Sequence, residues 1–164
     1  MNHIKLYEDF NEGKYDTFNN KDDKPFWGDY GAGVLPICID TGRILVALRS
    51  EYVNEPGTWG VFGGMIDNDT EKRNPEIAAK RELQEESGIK NDFKVVPAYK
   101  YRTSGFKYYN FIGLVPKEYK PVLDWENEDS KWVTLDELKS LMPKHFGLEA
   151  LVKNSIDLIE KYAR

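Results

Sequence analysis

Arg81, Glu82, Glu85 and Glu86 are the residues whose types and spacing can do chemistry in this chain. The three carboxylates stand at i, i+3 and i+4, so on a helix their side chains run along one face. Like charges so placed repel one another by roughly a few tenths of a kcal/mol per pair. Such a cluster is either a solvated acidic face or a place where cations neutralise the charge. Carboxylate oxygens are hard ligands suited to Mg²⁺ or Mn²⁺, and octahedral Mg²⁺ takes only a few of them beside water and phosphate oxygens. Arg81, one turn before Glu85, can pair with it and fix its rotamer.

A helix has to carry this cluster, and its ends are written in the sequence. Asn74 suits an N-cap, Pro75 the first turn, Glu76 the positive helix end, and Gly88 a C-cap. Ala78 and Ala79 let the helix lie close to a sheet, with Leu83 as its anchor. Strands are expected around it: a buried run 31–39, a turn at Asp40-Thr41-Gly42, a partner at 43–49 and a short strand 58–62 that leads into Gly63-Gly64. A loop over 65–73 precedes the helix. Strands at 93–102 and 106–115 are joined by Thr103-Ser104-Gly105, and Pro116 ends the second. An acidic loop 118–129 leads to a last strand at 131–134. Thr134 with Glu137 forms a capping box for a helix 135–142, and an amphipathic helix over 147–164 packs on the core. Strands, helix, strands, helix make a single α/β domain over 1–164, with helices on a mixed sheet. Residues 1–30, rich in aromatics, are expected to pack over the core 31–142 as an extension, or to act as a lid or dimer arm.

Composition narrows the function. With 164 residues, 40% hydrophobic and 31% charged, the chain is a globular domain of ordinary size. A net charge of −5 argues against a broad contact with the DNA or RNA backbone, which needs a basic surface. It leaves small phosphorylated ligands open, because a bound cation supplies positive charge locally. The single cysteine, Cys38, lies in an apolar run and reads as a buried thiol. There is no apolar stretch near the ~20 residues of a membrane span. Polar residues follow Met1, and a cytoplasmic protein without membrane contact is the expectation.

Gly64 and the run Arg81-Glu82-Leu83-Gln84-Glu85-Glu86-Ser87-Gly88-Ile89 resemble the Nudix box, G-x5-E-x7-R-E-U-x-E-E-x-G-U with U a bulky aliphatic. The second half agrees at every specified position. The flanks Trp59–Gly64 and Trp132–Leu138 are also similar to the family, so the resemblance covers about residues 31–142. The first half departs: Gly64 and Arg81 are three residues further apart than the pattern has them. The family's first glutamate then corresponds to Glu71 or is missing.

The resemblance implies a Nudix-type α/β/α sandwich and hydrolysis of a diphosphate linkage with Mg²⁺ or Mn²⁺. It implies metal ligands at Glu82, Glu85, Glu86 and the Gly64 carbonyl, and a catalytic set of Arg81, Glu85, Glu86 and a base. Glu126, before the final Trp strand, is the first choice for that base or for a further ligand, with Glu128 second. Arg49 at a strand end, Tyr52 and Arg102 are substrate-binding candidates beside Glu128. Tyr108 and Tyr109 read as stacking residues or as core. The implied substrate is a nucleoside diphosphate joined to a second moiety: ADP-ribose, a nucleotide sugar, a nucleoside triphosphate or a dinucleoside polyphosphate. Alternatives are a catalytically silent nucleotide-binding or regulatory module, and a pyrophosphohydrolase of RNA 5′ ends. The N-terminal aromatics leave a homodimer open.

Overall fold

A strand buried on both faces reads as a continuous apolar run, and residues 31–39 are such a run. The computed structural model describes residues 30–66, 68–103 and 105–164. The run becomes the central strand β1, Tyr30–Cys38. It lies between β6 (Phe106–Val115), parallel to it, and β2 (Ile44–Arg49), antiparallel. Its first half also pairs antiparallel with β4 (Phe62–Met65), which sets Gly33 opposite Gly63 and Ala32 opposite Gly64. β3 (Trp59–Gly60) and β7 (Asn127–Val133) both pair with β2, and β5 (Lys94–Thr103) pairs with β6. The result is a mixed sheet covered on both faces.

One face is covered by α2 (Pro75–Ser87), which follows the short α1 (Asp69–Arg73). Ala78, Ala79 and Leu83 of α2 join Ala32, Val34 and Phe62 in one core cluster. The alanines let the helix axis approach the sheet, and burying Leu83 contributes about 2 kcal/mol. The other face is covered by α3 (Leu135–Ser140), α4 (Phe146–Asn154) and α5 (Ile156–Tyr162), whose Leu138, Leu148, Leu151 and Ile159 pack on Leu35, Ile37 and Val46. Three layers, helix on sheet on helices, are the expected α/β/α sandwich. No helix among the described residues is long and apolar enough to cross a membrane.

Several local expectations change. The strand expected over 58–62 is two strands that meet at Val61, because the chain there leaves the edge of β2 and joins β1. The stretch 65–73 is not all loop: Asn68 accepts the Glu71 amide at 2.9 Å and starts α1. Asn74 occupies the N-cap position of α2 without a side-chain bond to it, since its Nδ2 donates back to Thr70 O at 3.2 Å. β7 begins at Asn127 rather than 131, and the C-terminal helix is broken at Ser155. The Thr134–Glu137 capping box and the Gly88 C-cap, at φ 70°, are as expected. Cys38 is fully buried. The extension 1–30 lies, apart from Tyr30, outside the described residues.

Candidate active site

α2 presents Pro75, Ala78, Ala79, Glu82, Leu83 and Glu86 to the sheet, so two of its carboxylates belong to the buried stripe. Glu82 is 8% exposed and Glu86 3%. Glu85 points outward with its side chain 57% exposed. A solvated acidic face does not describe the first two.

Glu82 reaches its position because residue 64 has no side chain. A Cβ built on Gly64 would lie 2.6 Å from Glu82 Oε1 and 2.8 Å from its Cδ, too close for any other residue without displacing the carboxylate. Burial, the largest influence, raises the Glu82 pKa from 4.5 to about 7; Arg81 opposes it, and Glu85 and Glu126 add to it. Glu86 is pushed well above the usual carboxylate range, first by burial and then by the neighbouring Glu126 carboxylate. Its Oε1 accepts from Asn127 Nδ2 at 3.5 Å, and its buried Oε2 has no hydrogen-bond partner among the described residues. Buried polar atoms are seldom left so.

The loop before β7 completes the group. Asp124 Oδ1 accepts the Glu126 amide at 3.0 Å, a tight turn that sends both carboxylates the same way. Ser50, just past β2, holds this turn in place: its amide donates to Glu126 O at 2.9 Å and its hydroxyl to Trp125 O at 2.7 Å. Carboxylate oxygens of Glu86, Asp124 and Glu126 thereby lie within 4.8 Å of one another. Burial raises the Asp124 pKa, with Glu126 and Glu85 adding to it.

Arg81 holds the other side. Its Nε and Nη2 donate to Glu71 at 2.8 and 3.0 Å, a bidentate pair. Its Nη1 donates to Glu82 and to Glu85, both at 3.1 Å. These bonds, the one to Glu71 above all, hold the guanidinium pKa above its ordinary value. α1 delivers Glu71 here, 4% exposed, so the longer loop still brings a carboxylate to Arg81.

The expected residues divide accordingly. Gly64, Arg81, Glu82, Glu86 and Glu126 come together, with Glu85 at the rim. Glu128 is exposed on β7, outside the Glu86–Asp124–Glu126 group, and Arg102 is exposed near the end of β5. Arg49 Nε donates to Asn54 O at 2.7 Å, and its Nη1 and Nη2 have no hydrogen-bond partner among the described residues. Tyr52 is exposed beside Ser50, whose hydroxyl accepts its amide at 3.3 Å. Asp124 was not singled out from sequence, although Asp-x-Glu after a loop is an Asx-turn pattern that turns two carboxylates together.

The donor set is all oxygen. Its 4.8 Å spread is close to the ~4.2 Å between opposite oxygens of an octahedral Mg²⁺. The unpaired Glu86 oxygen and the raised carboxylate pKa values fit a group of hard donors that a cation could bring together. The profile of the NUDIX domain matches residues 29–154. The chain belongs to the Nudix family. The second half of its Nudix box is the C-terminal part of α2 with its C-cap, and the three extra residues lie between Gly64 and Arg81, the stretch that includes α1.

Solved structures similar to this Nudix chain share its fold at low identity. A Nudix hydrolase from M. smegmatis, RenU, is 21% identical over 88% of this chain and 94% of its own, with a TM-score of 0.69. The NUDIX domain of Shewanella oneidensis NrtR, complexed with ADP ribose, is 16% identical over 97% and 99%, with a TM-score of 0.59. A C. elegans Ap4A hydrolase binary complex is 16% identical over 80% and 99%, with a TM-score of 0.57. No curated protein gives a match to the sequence.

Proposed function

We propose that this chain hydrolyses a diphosphate linkage in a nucleoside diphosphate joined to a second moiety, with a divalent cation, Mg²⁺ or Mn²⁺. The observation that carries this reading is the buried Glu86 carboxylate, its Oε2 without a hydrogen-bond partner among the described residues, grouped with Asp124 and Glu126 within 4.8 Å. Glu82, Glu86, Asp124 and the Gly64 carbonyl would hold the cation, and Glu85 would join them from the rim. When bound, the cation neutralises charge on the phosphate oxygens and lowers the pKa of a water. Arg81 keeps Glu82 and Glu85 in place through bonds anchored on Glu71. Glu126, less buried than Glu86, takes the proton of the attacking water; the water oxygen bonds to phosphorus, and the bridging P–O bond breaks with its electron pair going to the leaving phosphate. Arg49, with two guanidinium nitrogens that have no hydrogen-bond partner among the described residues, binds a phosphate, and the exposed ring of Tyr52, two residues past Ser50, stacks a base. The ADP ribose and Ap4A named with two similar structures support a nucleotide-type substrate.

The test is purified protein with Mg²⁺ or Mn²⁺ against ADP-ribose, nucleotide sugars, nucleoside triphosphates, dinucleoside polyphosphates and 5′-triphosphorylated RNA, read by phosphate and AMP release. Cation-dependent release that EDTA stops supports the reading. Binding of a panel member with no product from any of them assigns the chain to the nucleotide-binding modules instead.

A further inference from the structure

Gly31 and Gly33 of β1 and Gly63 of β4 leave one patch of the sheet without side chains, and the ring of Tyr108 fills it. A Cβ on Gly31 would lie 2.6 Å from Tyr108 Cδ2. On Gly33 it would lie 2.5 Å, and on Gly63 2.2 Å, from the Tyr108 hydroxyl oxygen. Real Cβ contacts are essentially never under 3.0 Å, so all three positions must be bare for the ring to lie as it does. Pairing fixes the arrangement: Tyr108 is in register with Gly31, and Gly33 with Gly63. Glycine inside a strand costs about 0.5–1 kcal/mol at each position. Three of them serve to seat one phenol.

The seat puts the hydroxyl one strand away from the carboxylates, on the opposite face of β4. Gly63 and Gly64 are adjacent in β4, and successive residues of a strand face opposite sides. Gly64 lies against Glu82 and Gly63 against the Tyr108 hydroxyl, so the phenol stands across the strand from the carboxylates. Among the described residues nothing hydrogen-bonds to this hydroxyl, although the ring is well packed, 6.3 Å from Phe106. Burial, together with the charges of Glu86 and Glu82, keeps the phenol far above its ordinary pKa, so it is always a donor. The charge of Arg49 also reaches it. A fixed donor with no acceptor among the described residues, within reach of the charges of Arg49, Glu82 and Glu86, matches a phosphate oxygen.

We propose that the Tyr108 hydroxyl donates a hydrogen bond to a phosphate oxygen of the substrate, on the side of β4 opposite the carboxylates. This rests on the diphosphate reading above. Tyr108→Phe keeps the ring on its glycine bed and removes only the donor. The expected result is a fall of about tenfold or more in kcat/KM, with Tm and Mn²⁺ affinity unchanged. Binding of a methylene-bridged, non-hydrolysable diphosphate analogue to the Mn²⁺-loaded protein should weaken by a similar factor. Gly63→Ala, which pushes the ring aside, should weaken analogue binding as well.

The proposal is overturned if Tyr108→Phe binds the analogue as tightly as the wild type. It is also overturned if any loss of binding is matched by a loss of Mn²⁺ affinity or Tm. The two readings fail separately. A wild type that binds the analogue but hydrolyses nothing removes the hydrolase reading, and the analogue comparison still decides the role of Tyr108.

Discussion

Replacing Glu82 with glutamine separates what this carboxylate costs the fold from what it gives the site. Glu82 is buried, and burial lifts its pKa from 4.5 to about 7. Between those two values the folded state keeps a proton that the unfolded state has lost, so stability falls as pH rises through the window. Above pH 7 the full effect has been lost, about 3 kcal/mol. A glutamine at this position would carry no such penalty; the pull of Arg81 across 3.1 Å is already inside that raised value, and solvent screening brings the recoverable part down to about 1–2 kcal/mol. Glu82→Gln should therefore stabilise the cation-free protein at pH 8 by about 1–2 kcal/mol, or a Tm increase of roughly 3–6 °C. Saturating MnCl₂ should raise the wild-type Tm and leave the variant nearly unmoved, because ligand binding stabilises only the state that binds. Urea unfolding in EDTA and in MnCl₂ measures both. A variant less stable than the wild type in EDTA at pH 8, or an equal response of the two proteins to Mn²⁺, would refute the reasoning.

Two further outcomes follow from neighbouring contacts. Arg81→Met strands the buried Glu71 carboxylate and should cost about 3 kcal/mol in urea unfolding; adding Glu71→Gln should restore part of it. His145 accepts the Gly147 amide at Nδ1, 3.0 Å, and donates from Nε2 to Glu55 at 2.9 Å, which is the neutral tautomer. Burial, helped by Arg49, holds its pKa down to about 4. The unfolded state takes up the proton first as pH falls, so His145 lowers stability between pH 6.5 and 4, by on the order of 3 kcal/mol. His145→Asn keeps an N-cap and cannot titrate, so its stability relative to the wild type should rise across that window in chemical denaturation.

The elements that carry local signals were legible in the sequence. Pro75 and Gly88 bound α2, Thr134 with Glu137 starts α3, and the run at 31–39 is the two-face-buried β1. α1 had a signal too, since Asn68 followed three residues later by Glu71 is a helix start, but it stands inside an insertion that pattern matching reads as loop. β7 was not legible at its beginning: Asn127-Glu128-Asp129-Ser130-Lys131 has no apolar alternation, and backbone pairing with β2 alone makes it a strand. The spacing of Glu82, Glu85 and Glu86 put the three carboxylates along one helix face but did not show that Glu82 and Glu86 turn inward while Glu85 turns out. That division depends on which stripe of α2 meets the sheet. Asp124 and the glycine bed of Tyr108 depend on contacts across long sequence separations, through Ser50 and through the pairing of β1 with β4 and β6.

The most direct test of the central claim is Mn²⁺ binding and diphosphate hydrolysis measured side by side for the wild type and Glu86→Gln. Glu86 is the buried carboxylate whose Oε2 has no hydrogen-bond partner among the described residues. The variant is expected to stay folded, to bind Mn²⁺ at least tenfold more weakly and to turn over at least a hundredfold more slowly, as when a metal ligand is lost. A Glu86→Gln protein that binds Mn²⁺ and hydrolyses the substrate like the wild type would contradict the claim.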